Sequence, residues 1–191
     1  MRSVIVILIC FISFSGFSQE AGKINWMTWD QAIAQSKIDS VPKKMFVDFY
    51  TGWCGWCKRM DATTFADPNV AAYMNANFYA VKFDAETTDT IVFNGTTFIN
   101  SDPSFKKASP NARGKVHHMA YSLLDSKLSY PSYVILDEKQ TRLMIYNGAK
   151  PADQIMGILI FFATDQYKHY HNYLYGQWSK QQQIQIKQTK K

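Results

Sequence analysis

A chain of 191 residues is the size of one domain, and with 47% apolar and 15% aromatic residues it is not a mainly disordered protein. Its formal charge of +6 forms no basic stripe interleaved with aromatics, and part of the excess sits at Lys180, Lys187, Lys190 and Lys191. Nucleic-acid binding is therefore not expected, and a solvated basic tail explains the charge.

The elements follow in chain order. Residues 1–18 read as a secretory signal peptide: Arg2 gives a short positive start, Val4 to Phe14 is an apolar run too short to span a bilayer, and Ser15-Gly16-Phe17-Ser18 offers a cleavage site before Gln19. Cys10 would be discarded with it, leaving no stable membrane insertion and a periplasmic or secreted product. Thr28 and Gln31 form a capping box that opens a helix carrying Trp29, Ala32, Ile33 and Ile38. Met45 to Tyr50 is apolar except for Asp48 and reads as a buried central strand. A helix is expected from Cys57 through Met60 to about Phe65. Asp67-Pro68 starts another through Val70, Ala71 and Met74, and Phe78 to Phe83 is a strand.

Residues 85–129 are the irregular part. Ile91 to Ile99 predicts a hairpin around Asn94-Gly95. Ser101 to Arg113 is expected to be loop, and Lys115 to Leu124 helical. Leu143 to Tyr146 is a strand ended by Gly148, and Pro151 opens one long helix through Ile155, Leu159 and Phe162 toward Tyr170. Residues 19–178 would form the domain, and residues 179–191 a polar, flexible tail. Alternating helices and strands imply an α/β fold, a central mixed β-sheet flanked by helices.

Trp53-Cys54-Gly55-Trp56-Cys57-Lys58 carries the chemistry. After removal of Cys10 it holds the only two cysteines, and a bridge across two residues closes too short a loop to act as a staple. A strand ending before the motif and a helix starting inside it put Cys54 at a helix N-terminus, where unpaired N–H groups and the helix dipole favour a thiolate. Cys54 is thus the nucleophile and Cys57 the resolving thiol. Gly55 admits a substrate backbone, and Trp53 and Trp56 form an apolar rim. Lys58 either supports the thiolate or is simply solvated.

With these residues the chain resembles the thioredoxin-fold family, and most closely its secreted thioredoxin-like members bearing Trp-Cys-x-Trp-Cys-Lys. The resemblance covers about residues 43–162. It implies that Asp48, six residues before Cys54, is a buried carboxylate exchanging a proton with Cys57, and that Lys82 pairs with it. It also implies that Tyr130-Pro131 holds a cis-proline beside the cysteines, where a substrate strand could pair with the Tyr130 backbone. The hairpin region then becomes an insertion between the Lys82 strand and the cis-proline strand. The chain departs from thioredoxin in having Trp56 where thioredoxin has proline, and in that longer insertion.

The expected activity is thiol–disulfide exchange, reduction more than oxidation, on protein disulfides outside the cytoplasm. No cofactor is expected, and a membrane or periplasmic electron donor is implied. The alternatives are a non-catalytic binding module or a metallochaperone-like protein. A zinc half-site would need two more ligands, and His117, His118, His169 and His171 do not supply them in pattern. Adjacent on a helix, His117 and His118 face different ways, so at least one is expected to be exposed; the nearer one could approach the cysteines, with a surface role favoured. His169 and His171 are expected in an aromatic packing edge with Tyr167, Tyr170, Tyr173 and Tyr175.

Overall fold

The computed structural model describes residues 22–102 and 113–189, so the leader expected over residues 1–18 lies outside the described residues. The elements are α1 (Trp29–Ile38), β1 (Lys44–Tyr50), α2 (Gly55–Ala62), α3 (Pro68–Asn77), β2 (Phe78–Asp84), β3 (Ile91–Phe93), β4 (Thr96–Phe98), α4 (His118–Leu123), β5 (Ser132–Leu136), β6 (Arg142–Asn147), α5 (Ala152–Ala163) and α6 (Gln166–Thr189).

Local chemistry accounts for the helix starts. Thr28 and Gln31 exchange side-chain and backbone hydrogen bonds at the head of α1. Asp67 Oδ1 accepts from the N–H groups of Asn69 (2.8 Å) and Val70 (3.1 Å), and Pro68, which lacks an N–H, takes the first helical position of α3.

The main sheet runs β2-β1-β5-β6, with β1 parallel to β2 and the other pairs antiparallel. Because successive strand residues point to opposite faces, β1 divides its side chains between two cores. Met45, Val47 and Phe49 join Tyr79, Val81, Phe83, Val134 and Leu136 against α1 and α4. Phe46 joins Phe78, Ala80, Tyr133 and Ile135 on the other face, against α2, α3 and α5. This is the mixed α/β sheet expected, and β1 is buried along all but its last residue because helices cover both sides. The outer edge of β2 is partly covered: Met27 N–H donates to Ala80 and Lys82 N–H donates to Met27.

β3 and β4 form a separate antiparallel ribbon. Asn94 (φ 48°) and Gly95 (φ 75°) take the left-handed conformations that a two-residue turn between twisted strands requires.

One expectation is corrected at the C-terminal end. The single helix expected from Pro151 toward Tyr170 is two helices. Asp165 turns left-handed (φ 58°) between them, and its carboxylate pairs with Lys44 (2.8 Å) and Lys168 (2.7 Å). An ionic contact with the buried start of β1 thus interrupts the apolar helix. Beyond it, α6 runs from Gln166 to Thr189.

Candidate functional site

Cys54 and Cys57 are joined as a disulfide where β1 gives way to α2. Cys54 is the N-cap of α2, and its sulfur accepts a hydrogen bond from the Cys57 N–H at 3.0 Å. Both cysteines are buried, so a reacting partner approaches along a narrow front beside exposed Gly55 and Trp56. A thiolate at Cys54 would retain the Cys57 N–H as donor and the positive end of the helix dipole as its field.

The sheet register places the charged pair. Asp48 and Lys82 are cross-strand partners in the parallel β1–β2 ladder, so they share a face, and it is the one α2 covers. Asp48 is 1% exposed, and its Oδ2 accepts from Lys82 Nζ at 2.6 Å. Its Oδ1 has no hydrogen-bond partner among the described residues. Burial pushes the Asp48 carboxyl up to about 6 against the pull of Lys82, and the charge of Asp61 adds to the rise.

Lys82 is shared. Its Nζ also pairs with Asp61, an exposed α2 residue one turn after Cys57, and lies over the rings of Trp26, Tyr50 and Phe65 at 4.9–5.3 Å. Burial opposes the lysine's charge, but the two carboxylates outweigh it and hold its pKa above the ordinary value. Asp61 does not emerge from the sequence reading, although its spacing of four from Cys57 on a helix was a usable signal.

The Tyr130–Pro131 peptide is cis and leads into β5, with Pro131 O accepting from Gly148 N–H at 2.9 Å. Tyr130 packs edge-on against Trp53, which ties the proline segment to the cysteine motif. Trp53 is held on three sides, since its indole N–H donates to buried Glu86 at 2.9 Å and the Arg113 guanidinium lies 4.4 Å from its ring centre. Glu86 also escaped the sequence reading; it lies just past β2 and no local spacing links it to Trp53. Trp56, by contrast, is 60% exposed, with Arg59 stacked on it.

The histidines divide. His118 is exposed, as expected of at least one of the adjacent pair, whereas His117 is fully buried and takes no surface role. It caps α4 by accepting from Met119 N–H through Nδ1, its Nε2 meets the Asp89 carbonyl, and burial lowers its pKa. The N-cap chemistry of a neutral imidazole explains its position. His169 and His171 are exposed, and so are Tyr170, Tyr173 and Tyr175, so the expected packing edge reduces to Tyr167 against Phe162. Among the described residues no group of three or more His, Cys, Asp or Glu could hold a metal, and no helix is long and apolar enough to cross a membrane.

A family model named Thioredox_DsbH, described as a protein of unknown function, DUF255, matches residues 16–101, the part that carries β1, the cysteines and β2. The fold is thioredoxin-like. The mixed sheet, the cysteines after β1 and the cis-proline before β5 are the arrangement that this resemblance implies. Solved structures similar to the thioredoxin-like chain include a DsbH oxidoreductase, with 15% identity, 75% of this chain and 85% of that one covered, and a TM-score of 0.48. A thioredoxin from Thermus thermophilus aligns at 16% identity over 72% and 85% of the two chains, with a TM-score of 0.49. A thioredoxin-fold protein from Helicobacter pylori does so at 17% over 73% and 85%, with a TM-score of 0.48. No curated protein matches.

Proposed function

We propose that this protein is an extracytoplasmic thiol–disulfide oxidoreductase that reduces disulfides in proteins. The observation that carries the reading is the Cys54–Cys57 pair capping α2, with the buried Asp48–Lys82 pair on the sheet face beneath that helix. In the dithiol form the Cys54 thiolate attacks a substrate disulfide, forms a mixed disulfide and releases one substrate thiolate. Cys57 then loses its proton and attacks Cys54 Sγ. The second substrate thiolate leaves, and the Cys54–Cys57 disulfide is regenerated with two electrons transferred. Asp48 is the base for Cys57. A carboxylate that titrates near pH 6 and keeps one oxygen free of hydrogen bonds can take that proton at neutral pH.

Trp53, Gly55, Trp56, Tyr130 and Pro131 form the substrate rim in this proposal. Trp53 and Tyr130 are held against each other, and Trp56 stands in solvent. The reductive direction is supported by the Asp48–Lys82 pair, and the location by the leader read over residues 1–18. Repeated turnover requires a more reducing dithiol partner, at the membrane or in the periplasm, to restore the pair.

Insulin reduction by dithiothreitol, followed by turbidity, tests the activity. The wild-type chain should accelerate it and the Cys54→Ser variant should not; equal rates would reject the enzyme. Cys57→Ser should accumulate mixed disulfides through Cys54, whereas a pure binding module would hold its partners without them.

A further inference from the structure

We infer that the groove between α2 and the β6–α5 connection receives an acidic segment of the protein whose disulfide reacts at Cys54. The inference rests on the redox reading above and extends it to substrate class. The groove has a volume of about 460 Å³. Its apolar wall is Trp56, Met60 and Pro151, and its charged residues are Arg59 and Lys150.

Position links it to the chemistry. It begins at Trp56, between the two cysteines, and its far rim follows Gly148, whose N–H is bonded to the carbonyl of the cis-proline. A polypeptide joined to Cys54 and lying along Tyr130 therefore has the groove beside it. The rim is set in advance: Thr64 Oγ1 donates to the Lys150 carbonyl (2.7 Å), and the Lys150 N–H donates to Met60 Sδ (3.4 Å). Preorganisation of this kind lowers the ordering cost of binding.

Charge names the occupant. Lys44, Lys82, Arg142 and Lys168 each have a carboxylate within salt-bridge distance. Arg59 and Lys150 have none among the described residues. Arg59 lies on the Trp56 ring at 5.3 Å, and Lys150 reaches the Asn147 carbonyl (3.2 Å) and the Tyr146 ring (5.9 Å). Among the described residues no Asp or Glu lines the groove; Asp153, in the first turn of α5, is exposed and outside the lining. Two cations supported on aromatic faces and left without counter-charges beside an apolar wall suit a carboxylate-bearing chain that also presents apolar surface.

The test uses disulfide-linked peptides identical except for Glu, Ser or Lys flanks on the reacting cysteine, reduced by the full chain in its dithiol form. Glu flanks should react roughly tenfold faster than Ser flanks at low salt, the factor that one charge-assisted contact supplies. The advantage should shrink at high salt, and in Arg59→Glu and Lys150→Glu the order should turn toward Lys flanks. An uncharged small disulfide is reduced in parallel. If wild type reduces it but treats all three peptides alike, the groove assignment is overturned and the redox reading stands. A Glu preference that survives both substitutions also overturns it, by placing recognition elsewhere. Failure on the small disulfide removes both readings.

Discussion

Asp48 is a charged side chain that the fold has made expensive. It titrates near 6 instead of the ordinary 3.8, because burial penalises its ionised form more than Lys82 rewards it. Between those values the folded chain holds a proton that the unfolded chain has lost, so this residue's contribution to stability falls as pH rises through that window. The loss is about 2–3 kcal/mol and is complete above about pH 6. Asp48→Asn should therefore raise the denaturation midpoint at pH 7.5, with the gain vanishing below about pH 4. Urea melts of both proteins across pH 3.5–8 check this, and a pH-independent difference would contradict it. In the same variant the release of mixed disulfides by Cys57 should slow about tenfold or more at pH 7.5, as expected for loss of a general base. A variant that is more stable and yet slower is the signature of a group kept for chemistry.

At the scale of elements, α2 and α3 are each started by a short local device, and the cost of removing one is predictable. Asp67 satisfies two N–H groups at the head of α3 and touches none of the redox residues. Asp67→Ala should cost about 1 kcal/mol of stability. It should leave the rate of disulfide reduction per folded molecule unchanged, measured by urea denaturation and by the insulin assay. Its counterpart at α2 is different in kind. There the cap is Cys54 itself, so the residue that completes the helix is the one that reacts. The break at Asp165 shows the opposite lesson. Residues Ile155 to Tyr170 read as one helix by periodicity, yet the ion pairs of Asp165 with Lys44 and Lys168 divide it.

For the whole molecule, stability reports the direction of electron flow. Folding and disulfide formation are linked in a cycle, so a strongly reducing pair is one whose disulfide stabilises the folded chain, whereas in a strong oxidant the dithiol form is the more stable. Potentials on this fold run from about −270 to about −120 mV, and about 30 mV corresponds to 1.4 kcal/mol. A reductase of the kind proposed should unfold at a higher urea concentration with Cys54–Cys57 oxidised than reduced. The reverse order would assign the protein to the oxidases. Equilibration against a glutathione buffer gives the same answer as a potential.

The sequence by itself determined what depends on neighbours along the chain. The capping box at Thr28, the Asp67-Pro68 start, the apolar run of β1 and the Cys54–Cys57 spacing are all local, and each is where local propensity puts it. Resemblance extended this to Asp48 and Lys82, whose meeting depends on strand register, and to Pro131, which follows a cis peptide. Only the tertiary structure decided the rest. It brought Asp61 onto Lys82 and Glu86 onto the Trp53 indole, buried His117, and set Arg59 and Lys150 along one groove with no carboxylate in its lining among the described residues. The physical reason is the same in each case. Sequence spacing reports which face of its own element a side chain takes, but burial, pairing and pKa depend on which element the sheet lays against that face.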